Sequence, residues 1–151
     1  MSIASAIAVS GLNVASLRLQ VAASNIANSL SDGPLPGTLN PESFPAAYTP
    51  LRVNQADLPG GGTSATVIAV LPATVSTLDP TAPFADRNGM VASPNVDLAN
   101  EFVQLMIARY SYAANTQVVR ADHVLTIFPA NRECNSSESR LPLIPERTTS
   151  H

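Results

Sequence analysis

Residues 2–28 read SIASAIAVSGLNVASLRLQVAASNIAN, and the spacing of the apolar side chains in this stretch decides the fold. Ile3, Ile7, Val14, Leu17 and Val21 recur by threes and fours, with small Ser10 filling one turn, which is the period of an α-helix. A second stripe, formed by Ala8, Leu12, Ala15, Leu19, Ala22 and Ile26, keeps the same period on another face. Two helix positions five residues apart stand ~140° from each other around the axis. Arg18 is the one full charge in the stretch. A helix that packs on a single partner needs one apolar stripe. Two stripes predict a helix with neighbours on several sides, as in a bundle interior or a filament.

The prolines set the rest of the organisation. There are 13, none in 1–33 and none in 95–128; ten fall between Pro34 and Pro94, and Pro129, Pro142 and Pro145 follow. Proline inside a helix costs roughly 3 kcal/mol, so the two proline-free windows are the helix candidates. The second opens at Pro94-Asn95-Val96-Asp97, with Asn95 or Asp97 able to cap it. It is striped twice as well. Leu98, Phe102, Leu105, Tyr112 and Val119 form one stripe; Val96, Ala99, Val103, Met106, Tyr110, Ala113, Val124 and Ile127 form the other. An ordinary two-helix hairpin with leftover exposed apolar residues is the plainer alternative, but the double striping recurs in both helices.

Between the helices the chain reads as β and turn. Tyr48–Val53 and Thr66–Leu71 are strand candidates around the flexible turn Pro59-Gly60-Gly61-Gly62, and Val75–Leu78 is expected to continue the same sheet after Pro72. Residues 32–45 read as irregular connector. The tail from Pro129 has no sustained helical period and reads as disordered.

Composition excludes several classes of function. All 8 basic side chains are Arg, against 11 acidic ones, for a net charge of −3. Nucleic-acid binding needs a denser basic footprint. Charged residues make up only 13 % of the chain, half of the usual ~25 %, which points to a surface that ends up against other protein. A lone Cys134 excludes an intramolecular disulfide framework. The N-terminus lacks the basic residues that open a secretory signal. Asn13, Arg18, Gln20, Asn25 and Asn28 interrupt the first helix, so no membrane span is expected.

Catalytic chemistry finds no constellation to work with. His123 and His151 are the histidines, and His123 follows Asp122 on a helix, where neighbours point to different faces. Cys134 has only Arg132 nearby as a basic partner, and no His, Cys or carboxylate cluster has metal-ligand spacing. Gly60-Gly61-Gly62 lacks the Lys and Ser/Thr of a phosphate loop. No cofactor or metal is therefore expected, nor any catalytic residue. The informative polar positions are Asn25 and Asn28. Asparagine in an apolar stripe fixes register through a buried hydrogen bond; Asn28 equally suits helix termination.

Ser10-Gly11-Leu12, Leu17, Leu19, Ala23 and Ser24-Asn25-Ile26-Ala27-Asn28 resemble the N-terminal signature of bacterial flagellar rod and hook axial proteins. Pro83, Ala85-Asp86, Asn88-Gly89, Val91 and Pro94-Asn95-Val96 resemble the segment that leads into the last helix of the small proximal-rod members. Glu101, Met106, Ser111-Tyr112, Ala114-Asn115 and Val118 resemble that helix. The chain departs from the pattern at Ser31, where Thr is common, at His123, where Lys is common, at Tyr110, and in continuing from Pro129 to His151.

The resemblance implies a mainly α fold. Long N- and C-terminal helices pair as a coiled-coil-like hairpin, with a small β-hairpin module and irregular linkers inserted between them. The corresponding segments are 1–30 for the first helix, 31–94 for linker and β module, 95–128 for the second helix, and 129–151 for the tail. It implies a structural, non-enzymatic subunit that polymerises through its terminal helices into a hollow drive shaft. Its expected partners are copies of itself, other rod proteins, the basal-body ring and the type III export apparatus, through which it leaves for the periplasmic rod without a cleaved signal. The subunit-packing residues expected from the stripes and this likeness are Ile7, Leu12, Val14, Leu17, Leu19, Val21, Asn25, Ile26 and Asn28 on the first helix. Phe102, Leu105, Met106, Tyr112, Asn115 and Val119 are those on the second. A needle or inner-rod subunit of another type III secretion apparatus is the alternative.

Overall fold

The computed structural model describes residues 2–38 and 41–127. The expected disordered tail and Cys134 lie outside the described residues. Ser2 opens helix α1 (Ile3–Ala27), its Oγ accepting from the Ser5 N–H at 3.2 Å and so satisfying a donor that the first turn leaves without a partner. Asn28 closes it, with side-chain amide and backbone N–H both donating to the Ser24 carbonyl at 2.9 and 3.0 Å. Of the two readings of Asn28, capping is the one observed. Helix α2 (Leu98–Ile127) starts from Asp97, not Asn95, because Asp97 Oδ1 accepts from the N–H groups of Ala99 and Asn100 at 3.1 and 3.2 Å.

The helices run antiparallel against each other. Ser2 meets Asp122, Gly11 meets Asn115, Arg18 meets Gln104 and Asn25 meets Glu101, so a step along α1 is matched by a backward step along α2. The contact is built from small side chains: Ala8, Ala15 and Ala22 of α1 and Ala108 of α2 are all buried. A Cβ placed on Gly11 would stand 2.7 Å from the Asn115 side chain, which shows how closely the backbones approach. The alanine-rich stripe of the sequence is therefore the helix–helix seam.

Strands β1 (Leu51–Asp57) and β2 (Thr63–Ala69) form an antiparallel hairpin that pairs Leu51 with Ala69 and Asp57 with Thr63. Both run closer to the turn than the sequence indicates. The reason is the turn itself: Gly60, Gly61 and Gly62 take φ of +96°, +99° and +90°, conformations that side chains with a Cβ rarely adopt. The hairpin lies on α1, with Thr63 N–H donating to Ser10 Oγ at 3.0 Å and Val14 and Val21 buried beneath. Each stripe of α1 thus finds a partner inside the protomer for part of its length: Val14 and Val21 of the first and Ala8, Ala15 and Ala22 of the second are buried, while Ile3 and Ile7 stay exposed. By length and mean hydropathy α1 would suffice to cross a membrane; here α2 and the hairpin cover part of it.

The third expected strand does not continue this sheet. β3 (Thr74–Leu78) pairs instead with β4 (Met90–Pro94), antiparallel, in a second two-stranded sheet. The first ladder stops where Val70 N–H reaches Pro50 O, and Pro72 brings no N–H with which to extend it. β4 was not marked in the sequence, because MVASP is short and its pairing is decided at a distance. Ala92 exchanges two 2.9 Å backbone bonds with Gly33, which ties the connector to the strand. A Cβ on Gly33 would overlap the backbone nitrogen of Ala47. Gly33→Ala is accordingly expected to destabilise by about 3 kcal/mol, since backbone cannot step aside as a side chain would; urea unfolding followed by circular dichroism measures it.

Candidate assembly surface

The joint between the elements is polar and centres on Asn25, which is 0 % exposed. Its Nδ2 donates to Leu51 O at 2.7 Å and to Glu101 Oε1 at 2.8 Å; its Oδ1 accepts from Leu51 N–H and from the Tyr48 hydroxyl, both at 3.0 Å. The side-chain amide thus imitates a neighbouring strand for Leu51, satisfying both backbone groups at the outer edge of β1. α1, β1 and α2 are held by one residue. Arg18 spans the same three elements, with 2.8 Å to Gln55 and 3.5 Å to Gln104. Burial pushes the Glu101 carboxyl above its usual range, against the lowering effect of the Asn25 bond.

A carboxyl raised in the folded state binds more protons there than when unfolded. Stability is therefore highest below the ordinary carboxylate value and falls as pH rises through the raised one. Glu101→Gln keeps an acceptor for Asn25 without the charge. It is expected to raise the melting temperature at pH 7 and to flatten this part of the pH–stability profile, which thermal melts between pH 4 and 8 measure.

Outside the joint, the expected packing residues divide. Val14, Val21 and Asn25 are buried within the protomer, and Asn115 lies against Gly11. Ile7 touches the glycine turn, where its Cδ1 would meet a Cβ on Gly61 at 2.8 Å. Leu12, Leu17, Ile26, Asn28 and Val119 are half-buried. Leu19, Phe102, Leu105, Met106 and Tyr112 come together, with Arg109, in one open apolar groove of about 410 Å³.

The rest of α2 carries on the same character. Phe102 is 55 % exposed, Met106 57 % and Tyr110 69 %, and Val103, Ile107, Val118, Val124 and Leu125 are exposed as well. Apolar exposure of this extent along a 30-residue helix marks a site for protein–protein contact. The polar joint is what the sequence pattern missed. Asn25 was visible as an asparagine in an apolar stripe, but nothing local tied it to Leu51 or Glu101. Among the described residues, no group of three or more His, Cys, Asp or Glu could hold a metal.

Comparison with known proteins places this arrangement. Residues 87–123, from the end of the β3–β4 loop into most of α2, match the family model described as the C-terminal region of flagellar basal body rod FlgEFG proteins. The chain is 36 % identical over 130 residues to the flagellar basal-body rod protein FlgC of Agrobacterium fabrum, covering 80 % of this chain and 86 % of that one. It is 39 % identical over 116 residues to the protein of that name from Salmonella typhimurium, covering 75 % of this chain and 83 % of the relative. The Escherichia coli O157:H7 relative is 37 % identical over 118 residues with the same coverage.

Proposed function

This chain belongs to the FlgC family of flagellar basal-body rod proteins, and from that premise we propose that it is a structural subunit of the proximal rod. In this reading it joins copies of itself and other rod proteins into the hollow shaft that transmits torque. The observation that carries the reading is the uncovered apolar face of α2. α1 buries Ala8, Val14, Ala15, Val21 and Ala22 inside the protomer, whereas Phe102, Met106 and Tyr110 of α2 are each more than half exposed. A helix in that state is complete only in an assembly.

The finer features follow from the same reading. The helix pair acts as a coiled-coil-like hairpin, and the β modules stand off it toward neighbouring rod proteins or the surrounding ring. The packing residues are those that remain exposed or half-exposed, Leu17, Leu19, Phe102, Leu105, Met106, Tyr112 and Val119 among them. Contacts that run head to tail without closing generate a helical tube. The chain travels through the type III export apparatus to the periplasm without a cleaved signal. The seam between α1 and α2 suits that route, because alanine side chains each bury less apolar area than larger ones would. The role is structural, not catalytic.

Deleting the gene is expected to leave cells without a rod and without motility, and the intact gene supplied in trans to restore both. Leu105→Asp, which places a charge in the groove, is expected to fail in that complementation. Rods of normal length in the deletion strain would overturn the reading.

A further inference from the structure

Two-stranded sheets have two edges each, and this chain treats its four edges differently. At β1 the outward groups of Leu51 are satisfied by Asn25, and the strand runs on along the clefts between α1 and α2. At β4 Met90 exchanges bonds with Asp86, Ala92 with Gly33, and Pro94 has no N–H to offer. The β4 edge is closed; that of β1 is satisfied at Leu51 and beyond it faces the clefts between α1 and α2.

The other two are open, except that β2 meets α1 at Thr63 and lines a cleft with it as far as Ala65. In an antiparallel pair, alternate residues turn their backbone groups away from the partner strand. Thr63 N–H, bonded to Ser10, shows which set this is in β2, so Ala65, Val67 and Ala69 point outward too. In β3 the inward ladder passes through Ala73–Asn95 and Asp79–Gly89, which leaves Thr74, Ser76 and Leu78 outward. Among the described residues, none of these six has a backbone partner on that side.

Edge strands in natural proteins are commonly blunted by charge, proline or a bulge. β2 (TSATVIA) and β3 (TVSTL) contain neither charge nor proline. Instead they expose apolar side chains beside the open edges: Val67 and Ile68 on one strand, Val75 and Leu78 on the other. The two edges match in length, each offering three outward residues at alternate positions.

Resting on the rod reading, we infer that β2 of one copy pairs with β3 of the next. The result is a continuous four-stranded sheet between neighbouring subunits, in the order β1-β2-β3-β4. Antiparallel pairing with Val67 opposite Ser76 engages all six outward residues in about six backbone hydrogen bonds. It also brings Ile68 of one copy against Val75 of the other as a close cross-strand pair. Because it joins two different edges, a single contact leaves β3 of the first copy and β2 of the second free, and in the rod reading these take further copies head to tail along a helical assembly.

The test uses Ile68→Cys and Val75→Cys, each in a Cys134→Ser background. Cells that co-express the two alleles are expected to yield hook–basal bodies in which oxidation produces a disulfide-linked dimer of this chain. Neither allele alone gives one. Val67→Pro removes one outward N–H and leaves the inner hairpin ladder intact. Added to the Ile68→Cys allele, it is expected to abolish the cross-link, with circular dichroism of the purified chain unchanged. Rods that contain both variants but no dimer would overturn the strand pairing and leave the rod reading standing. A dimer from Ile68→Cys alone, or one that survives Val67→Pro, would likewise overturn it. Complete rods lacking both variants would overturn the rod reading and the pairing together.

Discussion

Asn25→Ala is expected to destabilise the protomer by about 3–5 kcal/mol, a large share of the stability of a domain this size. The substitution deletes four hydrogen bonds at a fully buried position and leaves the Leu51 N–H and C=O facing a void. Each buried backbone group left without a partner costs about 1–3 kcal/mol. Asn25→Asp should be harmful for a different reason. It keeps the acceptor for Leu51 N–H, loses both donors, and sets a carboxylate against Glu101. Part of its loss should be recovered at low pH, where either carboxyl takes up a proton; the loss from Asn25→Ala should not recover in that way. Urea unfolding at pH 4.5 and 7.5 separates the two.

That prediction could not be written from the sequence, although most of the frame could. The 3.6-residue period and the positions of the prolines gave both helices, because helical signals are local. Asn28 as a terminator and a capping carboxylate or amide at 95–97 were local too. The β region was legible only where a glycine turn marked it. β1 and β2 were found but displaced, since three glycines in a row let the ladder extend closer to the turn than strand propensity suggests. β4 was missed and β3 assigned to the wrong sheet, because the backbone of Gly33 and the carboxylate of Asp86 decide those partners from outside the strands.

The candidate surface was legible in outline. The stripes of α1 and α2 look alike as sequence, yet those of α1 are buried in part by the alanine seam and the hairpin and those of α2 are left largely exposed. Only the hairpin's position distinguishes them. Val14 and Val21 are buried by β1 and β2, whereas no second sheet lies over Phe102 and Met106.

Phe102→Asp carries the second large effect. Because the side chain is already 55 % exposed, the protomer should lose no more than about 1 kcal/mol. Assembly should lose far more. Burying the ring in a neighbour contributes about 2–3 kcal/mol, and an unpaired carboxylate in the same contact costs several more. Together these weaken each subunit contact by at least ~1,000-fold. Purified Phe102→Asp is expected to show the circular dichroism of the unaltered chain, while cells that depend on it make no rod and do not swim.

In the rod, the outward face of α2 is expected to be covered by a neighbouring subunit. Met106→Cys in a Cys134→Ser background measures this directly, through its rate of reaction with a maleimide in the purified chain and in isolated hook–basal bodies. Rapid labelling is expected in the free chain, where Met106 is 57 % exposed, and little or none in the rod. Equal labelling in both would mean that this face stays open after assembly and that the subunits are joined elsewhere.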